Sequence, residues 1–164
     1  MKLIDVVLPV RNEEKSIIKV LRSLLDQHKL GIIFQLNLII VDGRSTDKTL
    51  EFVRNFFSNN LIEGITYKII TNLKGSSASS NFNLGFLSGS SPLIMRLDGH
   101  SILSNKYIYT LLVKLNCESD KVIGGRIKHY SSTNSLIGQS IIDAMENRIL
   151  TAGAFRAKFL KEGK

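Results

Sequence analysis

With a single cysteine, Cys117, the chain cannot close an intramolecular disulfide. That residue falls late in a helical pattern and is read as structural or without a role. No apolar run approaches the roughly 20 residues needed to cross a bilayer. The opening Met1-Lys2-Leu3-Ile4-Asp5 puts charge where a signal peptide needs its apolar centre. The expected compartment is therefore the cytoplasm. Zinc-ligand spacing, an RNP-like aromatic strand and a stripe of Arg and Lys are all missing, so no nucleic-acid partner is expected. With 43 % hydrophobic and 22 % charged residues, the composition also excludes a disordered chain.

Acidic residues are in deficit: 14 Asp and Glu stand against 22 Lys and Arg, a formal net charge of +8 over 164 residues. Residues 1–100 carry 12 basic and 9 acidic side chains, so +3, and residues 101–164 carry 10 and 5, so +5. Such an excess suits an anionic partner, a nucleotide diphosphate as well as an anionic lipid, without choosing between them. The segment Arg156-Ala-Lys158-Phe-Leu-Lys161 reads first as a solvated end and second as a contact for a membrane surface.

Apolar runs alternate with helical periodicity along the whole chain. Leu3 to Leu8 reads as a buried parallel strand ended by Pro9. A helix with inner face Ile17, Val20, Leu21, Leu24 and Leu25 follows, with Asn12 as its cap. Strands at Leu36–Val41, Tyr67–Ile70 and Leu93–Leu97 come next, and a fifth begins at Val122-Ile123. Helices between them carry Leu50, Val53 and Phe57 (capped by Ser45 or Thr46), then Phe82, Leu84 and Phe86, then Ile108, Leu111, Leu112 and Leu115 (capped by Ser104). Ile137, Ile141, Met145 and Ile149 mark a last helix. This alternation predicts one α/β domain over 1–164, with a mainly parallel sheet covered on both faces. The loops after strands one, two and four then share one sheet edge, where open α/β sheets bind ligands.

Those three loops hold the residues with chemical potential. Asp42 closes strand two, where a carboxylate can accept from a ribose or base edge; the alternative is a hydrogen-bonded turn. Asp47, in the first turn of the next helix, either complements that helix's dipole or shares the ligand role. A dinucleotide fingerprint is excluded, because Pro9-Val-Arg-Asn-Glu-Glu14 occupies the place of Gly-x-Gly-x-x-Gly. Gly75-Ser-Ser-Ala-Ser-Ser80 lacks the Walker ending and reads as a flexible connection or a ligand loop. Asp98-Gly99-His100 is the sharpest local signal. Two residues apart past a buried strand, Asp98 and His100 can face one divalent ion bridging two phosphates; a turn-capping Asp beside a surface His is the plainer reading. The carboxylate suits Mg²⁺, and the imidazole tilts the set toward Mn²⁺.

Pro9-Val-Arg-Asn-Glu13, Val41-Asp-Gly-x-Ser-x-Asp47, Asn83-Leu-Gly85 and Leu97-Asp-Gly-His100 occur in order and at fitting intervals. As an ordered set they resemble the inverting glycosyltransferases of family 2, and Asp-Gly-His resembles the version in transferases that build bacterial exopolysaccharides. The resemblance implies a three-layer α/β/α nucleotide-diphospho-sugar transferase (GT-A) fold, incomplete at the acceptor side. It implies that Pro9, with Val10, lines a nucleotide pocket, that Glu13 sits near the base or ribose, and that Asp42 contacts the base. Asp98 then contacts the sugar or ribose and, with His100, holds Mn²⁺ or Mg²⁺. Phe82 stands where the family often has a phosphate-binding arginine. The implied partners are a nucleotide-diphospho-sugar of UDP, GDP or dTDP type and a polysaccharide or lipid-linked acceptor. Peripheral association with the inner face of the cell membrane follows, and self-association if an acceptor segment is missing. The family's general base belongs to a region this chain barely reaches. Asp143 and Glu146 sit in a regular amphipathic pattern and lack its surroundings, so the catalytic base is unassigned. A non-catalytic nucleotide-sugar-binding module is the alternative.

Overall fold

The computed structural model describes residues 1–59, 63–115, 122–125, 128, 130, 135–137, 140 and 142. Four strands, β1 (Lys2–Val10), β2 (Phe34–Asp42), β3 (Ile65–Thr71) and β4 (Leu93–Arg96), alternate with helices α1 (Ile17–Leu25), α2 (Thr49–Ser58), α3 (Ala78–Leu87) and α4 (Tyr107–Leu115). All strand pairs are parallel and the sheet order is β3-β2-β1-β4. The chain steps outward from β1 to β3 and then returns to the other side of β1. A crevice therefore opens between the carboxyl ends of β1 and β4, where the direction of winding reverses.

Alternation along the central strands feeds two cores. Val6, Leu8 and Val10 of β1 and Leu36, Leu38 and Ile40 of β2 pack with Ile17, Val20, Leu21 and Leu24 of α1, Val53 and Phe57 of α2, and Ile108 and Leu112 of α4. Val7, Ile39 and Val41 face the opposite side, toward Phe82 and Leu84 of α3. Each fully buried aliphatic side chain on α1 contributes about 1.5–3 kcal/mol by leaving water. This is enough to fix a nine-residue helix that propensity alone would leave marginal.

Several expectations need correction. Pro9 lies inside β1 rather than ending it. Val7 accepts from Leu97 N on the β4 side, so Pro9 is the next residue facing β4, and there the β1–β4 ladder has already stopped at Val7–Arg96. Its missing N–H therefore interrupts no existing pair. Asn12 does not cap α1: Ser16 is the cap residue, and the Asn12 side chain reaches across to Thr46. The start of α2 is served by Asp47 Oδ1, which accepts from Thr49 N at 3.0 Å, because Ser45 and Thr46 are turned to the neighbouring loop. At α4, Gln27 Oε1 accepts from Ile108 N at 3.1 Å, while Ser104 offers its carbonyl to Tyr107 N and Gln27 Nε2. Residues 122–125 are neither strand nor helix; Val122 is exposed, and Gly124-Gly125 offers no side chain to pack.

The chain separates into two compact units, Met1–Ile123 and Gly124–Lys164. In the second, residues 136, 137, 140 and 142 are helical, within the expected last helix. Cys117, Asp143, Glu146 and the basic segment from Arg156 to Lys161 lie outside the described residues.

Candidate functional site

At the switch point lies an open cleft of about 380 Å³. Pro9, Val10, Arg11 and Glu13 line it from the end of β1, Arg96, Asp98, Gly99 and His100 from the end of β4, and Ser76, Ala78 and Asn81 from the start of α3. Of the residues singled out from sequence, Pro9, Val10, Glu13, Asp98 and His100 meet here. Asp42 does not line the cleft. It is buried at the end of β2, and its Oδ1 accepts from Ser45 N at 3.0 Å, the hydrogen-bonded turn named as its alternative.

The cleft floor is stiff because the loops after β1 and β2 are laced together. Asn12 N donates to Ser45 Oγ, Thr46 N to Asn12 Oδ1, Glu13 N to Thr49 Oγ1 and Glu14 N to Asp47 Oδ2, all within 3.1 Å. Asn12 and Arg44 sit in the left-handed region, at φ 56° and 62°. Asn tolerates that region; Arg44 holds it at a strain cost of about 1–3 kcal/mol. Asp47 is the centre of the lacing. Burial pushes its carboxyl up, and the hydrogen bonds from Thr49 and Glu14 outweigh this and hold it below the ordinary carboxylate value.

Charges line the cleft in pairs. Arg96 Nε donates to Asp98 Oδ1 at 2.9 Å, and its guanidinium lies 5.4 Å from the centre of the Phe82 ring. Glu13 Oε1 meets His100 Nδ1 at 3.0 Å, while Ser16 Oγ lies 2.7 Å from Glu13 Oε2. Arg11 donates from a terminal nitrogen to Ser76 Oγ at 3.0 Å. Two guanidinium groups and the polar start of α3 therefore surround a space large enough for a pair of phosphates.

Among the described residues no three His, Cys, Asp or Glu side chains gather as a ready-made metal site. Asp98 and His100 nonetheless line one cleft, and a carboxylate with an imidazole is a donor pair fit for a divalent ion. An ion held by two protein donors must complete its shell from phosphate oxygens and water, as Mg²⁺ commonly does in nucleotide sites.

Ser76 and Ala78 come from the Gly75–Ser80 segment read as a flexible connection or a ligand loop, whereas Arg11, Asn81, Arg96 and Gly99 were not singled out from sequence. Arg11 and Gly99 lie inside motifs already recognised, and Arg96 is a charge in an otherwise apolar strand, a signal available before the structure. Asn81 carries none. It faces the cleft while its side chain accepts from Asn72 Nδ2 at 2.9 Å, a contact set by how α3 follows β3.

Residues 5–162 match the family described as Glycosyl transferase family 2. No curated protein matches the sequence. Among solved structures, S. aureus TarS 1-349 in complex with UDP superposes with a TM-score of 0.60 at 20 % identity, covering 82 % of this chain and 40 % of that one. TarS 1-349 in complex with UDP-GlcNAc gives 0.57 at 20 % identity, covering 82 % and 39 %. The longer S. aureus TarS chain gives 0.58 at 17 % identity, with 80 % and 24 % covered. These likenesses establish the expected GT-A fold, and the chain spans less than half the length of the structures it matches.

Proposed function

The chain belongs to glycosyl transferase family 2, and from that premise we propose that its cleft binds a nucleotide-diphospho-sugar whose sugar is transferred, with inversion, to a polysaccharide or lipid-linked acceptor. The carrying observation is the meeting of Asp98 and His100 with Arg11 and Arg96 in one cleft at the switch point of the sheet. Pro9 and Val10 form the wall against the base and ribose, with Glu13 beside them; Asp42 lies outside that wall, and its part in reading the base depends on a base edge reaching the end of β2. Asp98 faces the ribose or sugar. Held by Asp98 and His100, Mn²⁺ or Mg²⁺ would supply charge neutralisation to the diphosphate.

In the transfer, the acceptor hydroxyl gives its proton to a base and its oxygen bonds the anomeric carbon. The bond to the diphosphate oxygen breaks, and its electron pair leaves with the diphosphate. Arg11 and Arg96 face that developing charge, a task suited to fixed guanidinium groups. The base must lie within about 3 Å of the acceptor hydroxyl. Glu13 and Asp98, the carboxylates that line the cleft, are already engaged by His100 and Arg96. That engagement favours a second reading, a nucleotide-sugar-binding module that does not turn over by itself. Transfer of labelled sugar by the pure chain would remove it.

The TarS complexes contain UDP and UDP-GlcNAc, which makes UDP the first nucleotide to try. A lipid-linked acceptor would put the protein at the cytoplasmic face of the membrane as a peripheral enzyme, drawn there by its positive charge. No helix among the described residues is long and apolar enough to cross. Exposed Leu73, Phe86 and Leu87 offer apolar surface for self-association. The test is calorimetric titration with UDP, GDP and dTDP, with and without Mn²⁺. One of them is expected to bind in a metal-dependent way, and binding of none overturns the reading.

A further inference from the structure

We propose that Glu13 is a positioning residue for His100, holding the imidazole by Nδ1 so that an unprotonated Nε2 is presented to a divalent ion in the cleft. The role of that nitrogen rests on the donor-site reading above; its tautomer does not. A carboxylate only accepts, so the 3.0 Å contact with Glu13 Oε1 requires the proton on Nδ1. In the neutral ring the lone pair then falls on Nε2.

The two partners are unequal. The His100 side chain is 68 % exposed and that of Glu13 21 %. Glu13 is fastened on several sides: its N–H donates to Thr49 Oγ1 at 2.8 Å, its carbonyl accepts from Ser16 N and Ile17 N, and Oε2 lies 2.7 Å from Ser16 Oγ. Thr49 Oγ1 in turn lies 2.5 Å from Asp47 Oδ1. The pair therefore has a well-anchored member and an exposed one, and the anchored one sets the orientation.

Two local departures have the same explanation. Ser16 stands at the cap position of α1 without making a side-chain cap bond, and its hydroxyl is placed instead on Glu13 and on Gly99 O at 2.9 Å. Gly99 separates Asp98 from His100, and a Cβ there would come within 2.9 Å of Glu13 Cγ and 3.3 Å of Cδ. Glycine in that motif leaves room for the carboxylate that holds the histidine. A carboxylate behind an imidazole fixes the ring and strengthens the far nitrogen as a donor, and loss of such a partner commonly weakens metal binding about 10- to 100-fold.

The experiment reads the tautomer of His100 by long-range ¹H–¹⁵N correlation in the ligand-free 164-residue chain, then Mn²⁺ affinity by calorimetry with UDP present. Wild type is expected to show the Nδ1–H form. Glu13→Ala should shift His100 toward the Nε2–H form and weaken Mn²⁺ at least about tenfold. Glu13→Gln, whose amide oxygen still accepts, should retain the wild-type tautomer. Gly99→Ala should reproduce the Glu13→Ala spectrum by displacing an intact carboxylate, which keeps the test valid if Glu13→Ala fails to fold. An Nε2–H tautomer or an imidazolium in wild type, or a tautomer indifferent to Glu13→Ala, overturns the proposal. Absence of nucleotide binding with the Nδ1–H tautomer intact overturns the donor-site reading while upholding the orientation of His100 by Glu13.

Discussion

Arg96 Nε donates to Asp98 Oδ1 across 2.9 Å while its guanidinium lies over the Phe82 ring. An ion pair this exposed contributes about 0–1 kcal/mol to stability, so its consequence is placement. The position before Asn83 carries Phe82 in place of the family's frequent arginine, and Arg96 brings a guanidinium to that spot from β4. Arg96→Ala is expected to weaken UDP binding about tenfold, or roughly 1.4 kcal/mol. Uridine binding and the melting temperature should stay nearly unchanged, and Arg96→Lys should recover part of the loss. Calorimetry with the two ligands checks this. Equal weakening of UDP and uridine would mean that the cleft wall had moved and no phosphate contact was lost.

Asp5 concerns stability alone. It is fully buried in β1, and its carboxylate accepts from Asn37 Nδ2, Ser90 N, Ser91 N and Ser91 Oγ at 2.6–2.8 Å. This staples β1 to β2 and to the turn before β4. Asp5→Ala leaves several buried donors unpaired at about 1–3 kcal/mol each, so a loss of at least about 3 kcal/mol is expected in urea unfolding at neutral pH.

The same carboxylate gives a pH dependence. Burial pushes it up, and the hydrogen bonds from Ser91, Asn37 and Ser90 more than reverse this, so it sits below its ordinary value of 3.8. Between the folded and the ordinary value the unfolded chain binds more protons than the folded one, so stability there rises with pH. The contribution is complete above the ordinary value and disappears as pH falls through the folded one. Asp47 adds to the same acid limb. Urea midpoints for Asp5→Asn should be lower than wild type at neutral pH and fall less steeply in acid. Parallel acid limbs for the two proteins would contradict this assignment.

Most of the fold was legible because its signals are local. The buried runs Val6–Leu8 and Leu38–Val41 and the spacing of Ile17, Val20, Leu21 and Leu24 each need one residue type at one period. Caps were less legible, because the groups that compete for them are distant in sequence. Gln27 serves α4 from across the core, and Asn12 leaves α1 for Thr46. Strand order was not written in any single segment. It follows from β4 settling beside β1 rather than beyond β3.

Gly85 tests how closely α3 must approach the sheet. A Cβ at this position would overlap Val7 Cγ1 and come within 3.0 Å of Val41 Cγ2. Helix propensity favours alanine over glycine by about 1 kcal/mol. Overpacking against two central strands costs about 1–3 kcal/mol, and neither strand can retreat. Gly85→Ala is therefore expected to lower the thermal midpoint. A raised midpoint would show that α3 lifts from Val7 with little resistance.

The lining of the candidate cleft was legible where motif and strand end coincide, at Pro9, Glu13, Asp98 and His100. It was illegible where tertiary approach decides the contact. Nothing in the sequence pairs Glu13 with His100, 87 residues apart, or Arg11 with Ser76, 65 apart. A motif specifies which groups are available, and partner choice depends on loops whose lacing is not local.

Asp42 separates the two roles a strand-end carboxylate can take. It is almost wholly buried, Ser45 N donates to it, and the next residue, Gly43, donates its N–H to Val10 O at the mouth of β1. A base lying against Pro9 and Val10 would therefore come close to the end of β2. Asp42→Asn keeps an oxygen for Ser45 N, so the turn and the melting temperature should be largely preserved. It exchanges a pure acceptor for a group that also donates, which changes what a base edge meets. The expected result is a compressed preference among UDP, GDP and dTDP, with the favoured nucleotide losing about tenfold, or roughly 1.4 kcal/mol, and the others little. Titration of the three nucleotides against the variant decides it. A uniform loss across all three, accompanied by a lower melting temperature, would confine Asp42 to the turn and leave base selection to the cleft wall itself.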